Sequence, residues 1–277
     1  MILTKRNGRL FFVLILFVAC SADMSKTSVN INGYDYARMK EIALERPLKE
    51  ISGIAYHATS NTFVAVNDEK GIVYVLDPKT FSITNKLTFG EEDDYEEIQV
   101  LGNDVFILRS DGTIFKMKFD GQTISSVETF SYTGPKAEYE SFYIDAVSST
   151  LVLIPKQSKN GTKEKQTTTY TIRTSNGKYA GVDENMLNWS ELKSCMMLHP
   201  SAVAVHPVTK DIYMLSSIEK RLIVLSAAWK VVGEYELDRK RFQQPEGMTF
   251  DSESNLYITN EAVEKSPTVI QIPIQSN

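Results

Sequence analysis

Short apolar runs recur along this chain, and polar turn formers separate them. One stretch shows the scheme. Ile54-Ala55-Tyr56 is followed by Phe63–Val66, then Ile72–Leu76, then Ile83–Thr88, with Ser60-Asn61, Lys70-Gly71 and Asp77-Pro78 between them. The order returns later as Ala202–Val205, Ile212–Leu215, Leu222–Leu225 and Val231–Leu237. Short β-rich runs with turn signals between them predict antiparallel strands. The innermost runs are almost continuously apolar, as strands buried on both faces should be.

The units repeat. Ile51-Ser52-Gly53-Ile54-Ala55, Tyr95-Glu96-Glu97-Ile98-Gln99, Tyr139-Glu140-Ser141-Phe142-Tyr143, Pro200-Ser201-Ala202-Val203-Ala204 and Pro245-Glu246-Gly247-Met248-Thr249 align with one another. The second residues of these segments stand 44, 44, 61 and 45 residues apart, close to the length of a propeller blade in three of four cases. The expectation is an all-β fold, a five-bladed β-propeller of four-stranded antiparallel blades. The long spacing holds a Lys/Thr-rich insertion, Lys156–Thr169, and a short helix expected around Asp183–Lys193. The third unit shows no clear fourth strand. The last unit shows only three, so Ala37–Leu44 is expected to close that blade as its outer strand, although its pattern also fits a helix.

The N-terminus reads differently. Lys5, Arg6 and Arg9 precede the apolar run Leu10–Val18, and Ala19-Cys20 follows. The run is too short to span a bilayer and describes a secretory signal over residues 1–19. Ala19-Cys20 resembles a bacterial lipobox, which makes Cys20 the expected lipidation site and lipid-anchored first mature residue. Residues 20–33 read as a flexible tether and 34–277 as the propeller. The expected location is the bacterial cell envelope, exported and held to a membrane through Cys20. Without the signal the chain has 27 basic and 35 acidic residues, a charge of −8, which argues against nucleic acid as a partner. Cys195 has no second cysteine to pair with if Cys20 is acylated.

Leu48–Ala55, Val66–Gly71, Asp94–Ile98 and Glu246–Asp251 resemble the SdiA-regulated (YjiK-like) family, and the similarity runs from about Tyr34 to Ile274. The resemblance implies a five-bladed propeller related to NHL-repeat propellers, with a calcium site and no securely known activity. Glu97, Ser141 and Ala202 stand where the family pattern prefers Gly.

In a closed ring, Ser52, Glu96, Glu140, Ser201 and Glu246 would surround one mouth of the channel. Three converging carboxylates repel unless protons or a cation neutralise them. Ca²⁺, with six to eight oxygen ligands, would suit Glu96, Glu140 and Glu246 together with Ser52, Ser201 and backbone carbonyls. The alternative is that each Glu satisfies backbone N–H groups and binds no metal. Asp68 and Glu261 occupy corresponding positions at the end of a second strand and could complete the cation site. Asp111 reads as a plain turn residue, and Glu91-Glu92-Asp93-Asp94 as a solvated connection. His57, His199 and His206 lack metal-ligand spacing, although His199, two residues before Ser201, could reach the channel. No nucleophile elbow, P-loop or dinucleotide fingerprint is present.

Two functions fit. One is a calcium-binding module or scaffold for an unknown small-molecule or protein ligand. The other is a calcium-dependent hydrolase of the lactonase or esterase kind, with its site in the channel. Fold alone does not decide between them.

Overall fold

The computed structural model describes residues 31–275 apart from 147, 157–165, 176–177, 193–197 and 264. The signal, Cys20, most of the tether and Cys195 lie outside the described residues. Twenty strands form five sheets of four. The chain opens with β1 (Lys40–Ala43), between 3-10 turns at Tyr36–Arg38 and Arg46–Leu48. Blade one follows as β2 (Ile51–His57), β3 (Thr62–Asn67), β4 (Lys70–Leu76) and β5 (Ile83–Thr88). Blade two is β6 (Tyr95–Leu101), β7 (Asp104–Arg109), β8 (Ile114–Phe119) and β9 (Ile124–Phe130). Blade three is β10 (Tyr139–Asp145), β11 (Thr150–Pro155), β12 (Gln166–Ser175) and β13 (Lys178–Asn188). Blade four is β14 (Pro200–Val205), β15 (Ile212–Ser216), β16 (Arg221–Leu225) and β17 (Val231–Glu236). Blade five is β18 (Pro245–Phe250), β19 (Leu256–Asn260) and β20 (Thr268–Ile272), completed on its outer side by β1.

The ring is closed. The inner strands β2, β6, β10, β14 and β18 each touch the next, and β18 touches β2. Alternation along the strands explains the packing. Phe63 and Ala65 of β3 pack against Tyr257 and Val269 of blade five, while Val64 and Val66 pack against Ile98 and Val105 of blade two. Successive side chains point to opposite faces, and both faces are covered. Five apolar clusters result, one between each pair of neighbouring blades. Each fully buried Val, Leu, Ile or Phe side chain contributes about 1.5–3 kcal/mol.

β1 pairs with β20 from Lys40↔Gln271 to Ala43↔Thr268, so the expected closure is present and the helical alternative is not. Tyr34 bridges Ile274, and its hydroxyl donates to the Ser254 carbonyl. Ile31, within the stretch read as tether, is buried in the core between blades four and five.

Blade three departs from the sequence reading. Of the helix expected around Asp183–Lys193, Asp183–Asn188 is instead the end of β13, which pairs with β12 from Gln166↔Asn188 to Ser175↔Lys178, and Lys193 lies outside the described residues. That strand is the fourth one the sequence did not show. Only Leu187 gives its described part a buried position, since Glu184, Asn185 and Met186 are exposed at the blade's outer edge. The expected insertion is also shorter, because Gln166–Thr169 belongs to β12.

Candidate functional site

All five inner strands carry the same irregularity. The register with the second strand skips one residue between Ile51 and Gly53, Tyr95 and Glu97, Tyr139 and Ser141, Pro200 and Ala202, and Pro245 and Gly247. The skipped residues are Ser52, Glu96, Glu140, Ser201 and Glu246. A bulge leaves its extra residue outside the ladder and re-aims the side chain, and here all five line one cavity of about 490 Å³ at the mouth where the inner strands begin. Glu96, Glu140 and Glu246 all line it.

Two further rings surround this one. Two residues before each bulge stand Glu50, Asp94, Glu138, His199 and Gln244. Just after each second strand stand Asp68, Ser110, Lys156, Ser217 and Glu261. Backbone hydrogen bonds join the rings: Asp68 N–H donates to the Glu50 carbonyl, Ser110 to Asp94, Lys156 to Glu138 and Glu261 to Gln244. Asp68 and Glu261 do occupy corresponding positions. The sequence reading missed Glu50, Asp94, Glu138 and Gln244, although their constant offset from the ring was available. It also missed Lys156, which it assigned to an insertion.

The serines are not free to act as ligands of the first resort. Ser52 Oγ donates to the Tyr95 carbonyl at 2.6 Å and Ser201 Oγ to the Pro245 carbonyl at 3.0 Å. They fasten blade one to blade two and blade four to blade five. Ser217 Oγ donates to Glu246 Oε1 at 3.1 Å.

The carboxylates divide into two groups. Oxygens of Glu96, Glu138 and Glu140 lie within 4.8 Å of one another, and so do oxygens of Glu50, Asp68 and Glu261. The first group already holds a cation: the Lys156 ammonium bonds Glu138 at 3.1 Å and also Glu140. Burial opposes the Lys156 charge, but Glu140 and Glu138 hold it above the usual lysine range. The second group has Lys49 on its rim, bonded to Glu50 at 2.9 Å. Asp68 Oδ1 is buried with no hydrogen-bond partner among the described residues.

Burial and mutual repulsion raise this set together. Glu96 is pushed up to about 9, first by burial and then by Glu140 and Asp94. Burial, then Glu246, takes Glu261 to about 8. Burial, then Glu140, takes Glu246 to about 7. Asp68 rises to about 6 through burial, then Glu50. Glu140 is raised by burial against the pull of Lys156. Without a cation, the cup therefore retains protons at neutral pH.

His199 lines the cavity and is only 8% exposed. Its Nδ1 lies 2.7 Å from Glu219 Oε1, and its backbone N–H reaches Ser216 Oγ at 3.1 Å. Burial opposes the charge of Glu219, but the Ser216 hydroxyl and His199 hold its carboxyl below the usual range. His57 and His206 belong elsewhere. His57 bonds Ser60 and packs on Phe119, and His206 packs on Tyr213 and Phe250. Asp93 and Asp111 pair with Arg109, and Glu92 with Lys70; Asp94, read with its neighbours as a solvated connection, instead lines the cavity.

Below the cup the axis is filled. Glu97 is fully buried, and its Oε1 accepts from the Ile98 backbone N–H at 2.9 Å, while its Oε2 has no hydrogen-bond partner among the described residues. Beside it, Gln99 crosses from blade two to blade four, donating to the Val203 carbonyl at 2.9 Å. Gly53 makes room, since a Cβ there would lie 2.8 Å from Glu97 Oε1 and 2.7 Å from Ile98 N. Burial pushes the Glu97 carboxyl well above the carboxylate range, which favours its neutral form. The cup is blind.

Solved structures share this architecture. The glutaminyl cyclase of Myxococcus xanthus aligns with a TM-score of 0.60 at 13% identity, over 86% of this chain and 96% of that one. A glucose dehydrogenase aligns at 0.54 and 10% identity, over 86% and 100%. A streptogramin B lyase aligns at 0.52 and 8%, over 86% and 97%. At such identities the likeness is one of fold alone. No curated protein matches the chain at the level of sequence. The profile of the SdiA-regulated family matches residues 27–263, almost the whole propeller, and the chain belongs to that family.

Proposed function

We propose that this protein is a calcium-binding propeller of the bacterial cell envelope, exported, tied to a membrane through a lipid on Cys20, and working as a binding module. The observation that carries the reading is the Glu50–Asp68–Glu261 group, with the buried, unpartnered oxygen of Asp68. The donors there are all carboxylate oxygens, which suit Ca²⁺ rather than softer metals. Glu246 and Glu96 line the same cavity and add oxygens nearby. The Glu96–Glu138–Glu140 group is the weaker candidate, since Lys156 already offsets its charge. A bound dication would order the cup and present an open face to a ligand.

Calorimetry with Ca²⁺ tests this. One ion per chain is expected, and Asp68→Asn should weaken binding at least about tenfold through loss of a charged ligand. At a free concentration 100 times Kd, calcium should stabilise the fold by about 2.7 kcal/mol. For a domain this long that is roughly 5–10 °C in Tm. No binding heat, and a melting transition indifferent to chelator, would reject the calcium site. A second reading, hydrolysis assisted by that cation, is favoured by one observation: Glu219 orients the imidazole of His199, which lines the cavity and could serve as a base. Turnover of p-nitrophenyl acetate by the calcium-loaded protein, abolished in His199→Gln, is the outcome it expects. Hydrolysis no faster than in buffer removes it.

A further inference from the structure

What a wall offers defines what it can hold. This wall offers acceptors: the carboxylates of Asp68, Asp94, Glu96, Glu140, Glu246 and Glu261. Its donors are largely directed into the protein. Ser52 and Ser201 donate to carbonyls, Ser217 to Glu246, Lys220 to the Ser217 carbonyl, Gln244 to Glu261, and Lys156 to Glu138 and Glu140.

An acceptor of a different kind stands among them. His199 is buried to all but 8% and lines the cavity. A carboxylate only accepts, so Glu219 fixes the imidazole hydrogen on Nδ1 at 2.7 Å. In the neutral ring that leaves Nε2 as an acceptor, and it has no hydrogen-bond partner among the described residues. The cavity, about 490 Å³, is far larger than one ion needs and falls in the range of small-molecule sites. Lys156 shows how such a wall is satisfied, by a primary ammonium that bridges two carboxylates.

We propose that the cup holds a small organic diamine, one ammonium at Asp68 and Glu261 and the other at Glu96, Glu246 and His199. This rests on the cation-binding reading for the sign of the cup's field. It differs in the ligand, because an ammonium takes the place that Ca²⁺ would take at Asp68 and Glu261. Diamine and calcium therefore compete.

The test is calorimetry on the full-length protein in detergent, free of metal, at about 0.15 M salt so that surface attraction is screened. Putrescine and 1,5-diaminopentane are the probes, with butylamine as the single-ammonium comparison and sorbitol as the uncharged one. One diamine per chain is expected, held at least about tenfold more tightly than butylamine, because a second charge-assisted contact forms. Calcium should weaken diamine binding competitively. Glu246→Gln and His199→Phe should each weaken it about tenfold, while Glu91→Gln, outside the cavity, leaves it unchanged. Equal affinity for butylamine and diamines overturns the proposal, as does undiminished binding in the two cavity variants. The imidazole resonance of His199 in the wild-type protein supplies the same reading where a variant does not fold. Its shift on adding putrescine supports the proposal, and no shift overturns it. Calcium heats without diamine heats remove this inference and leave the calcium reading standing; diamine heats without calcium heats do the reverse.

Discussion

Replacing Glu96 by Gln should stabilise the metal-free protein. Glu96 is held at about 9 in the fold against an ordinary value of 4.5, chiefly by burial and then by Glu140. Between those two values the folded state binds a proton that the unfolded chain has released. The slope of stability with pH is 2.303RT times the protons bound in the unfolded state minus those in the folded state. Here it is negative, about −1.4 kcal/mol per pH unit from this group. Stability is thus fully present below pH 4.5 and lost progressively towards pH 9. At pH 7 the loss amounts to about 3 kcal/mol. Gln has the same shape and no proton to bind, so Glu96→Gln should recover most of it, roughly 6–12 °C in Tm for a domain of this length. Urea denaturation in chelator at pH 5, 6, 7 and 8 reads the effect directly. The two proteins should nearly coincide at pH 5 and diverge as pH rises. In saturating calcium the order should shrink or invert, because the ion keeps Glu96 ionised and the variant lacks that ligand. Parallel pH profiles in chelator would show that Glu96 holds no proton, and the account of the cup as a proton-charged acidic cluster would then fail.

Three other outcomes follow from the axis, the closing strand and the N-terminus. Glu97→Gln keeps an acceptor for the Ile98 N–H and should be at least as stable as wild type at pH 7. Glu97→Ala leaves that N–H unsatisfied and should cost about 1–3 kcal/mol by denaturant titration. Deleting residues 1–30 should leave the melting transition in place. Deleting through Leu44 removes buried Ile31, Tyr34 and Leu44 and bares the edge of β20. That loss, about 5 kcal/mol or more, rivals the whole stability of a domain, so cooperative melting should vanish. Cys20→Ser should move the folded protein from the membrane to the soluble fraction, and a variant still extracted only by detergent would exclude anchoring through this residue.

The ring was legible because each blade repeats one local event. The bulge falls at the same place in five strands, so equivalence in the repeat became adjacency at the mouth. Blade three was legible only in part. Its outer hairpin exposes Glu184, Asn185 and Met186, and an edge strand that buries few of its side chains leaves little period-two signal to read. The Thr-rich run of β12 therefore looked like an insertion, and Lys156, the cation inside the acidic cup, was hidden within it. The plug was hidden for another reason. Glu97 breaks the small-residue pattern, and nothing local says that Gly53 on the neighbouring inner strand yields the space it fills. The pairing of His199 with Glu219 spans a hairpin, so no short motif announces it.

The direction of β1 sets how the molecule faces its surroundings. Inner strands start at the cup, and the strands of blade five alternate from there, so β20 runs away from the cup and antiparallel β1 runs towards it. The chain therefore enters the propeller at the far side, near Lys40 and Gln271, and climbs towards the cup through Ala43. If Cys20 carries the proposed anchor, the described chain meets it from the base of the propeller and not from its bowl. A membrane holding that anchor would have the bowl turned outward, like a dish on a mast, with its opening on the solution from which a ligand arrives.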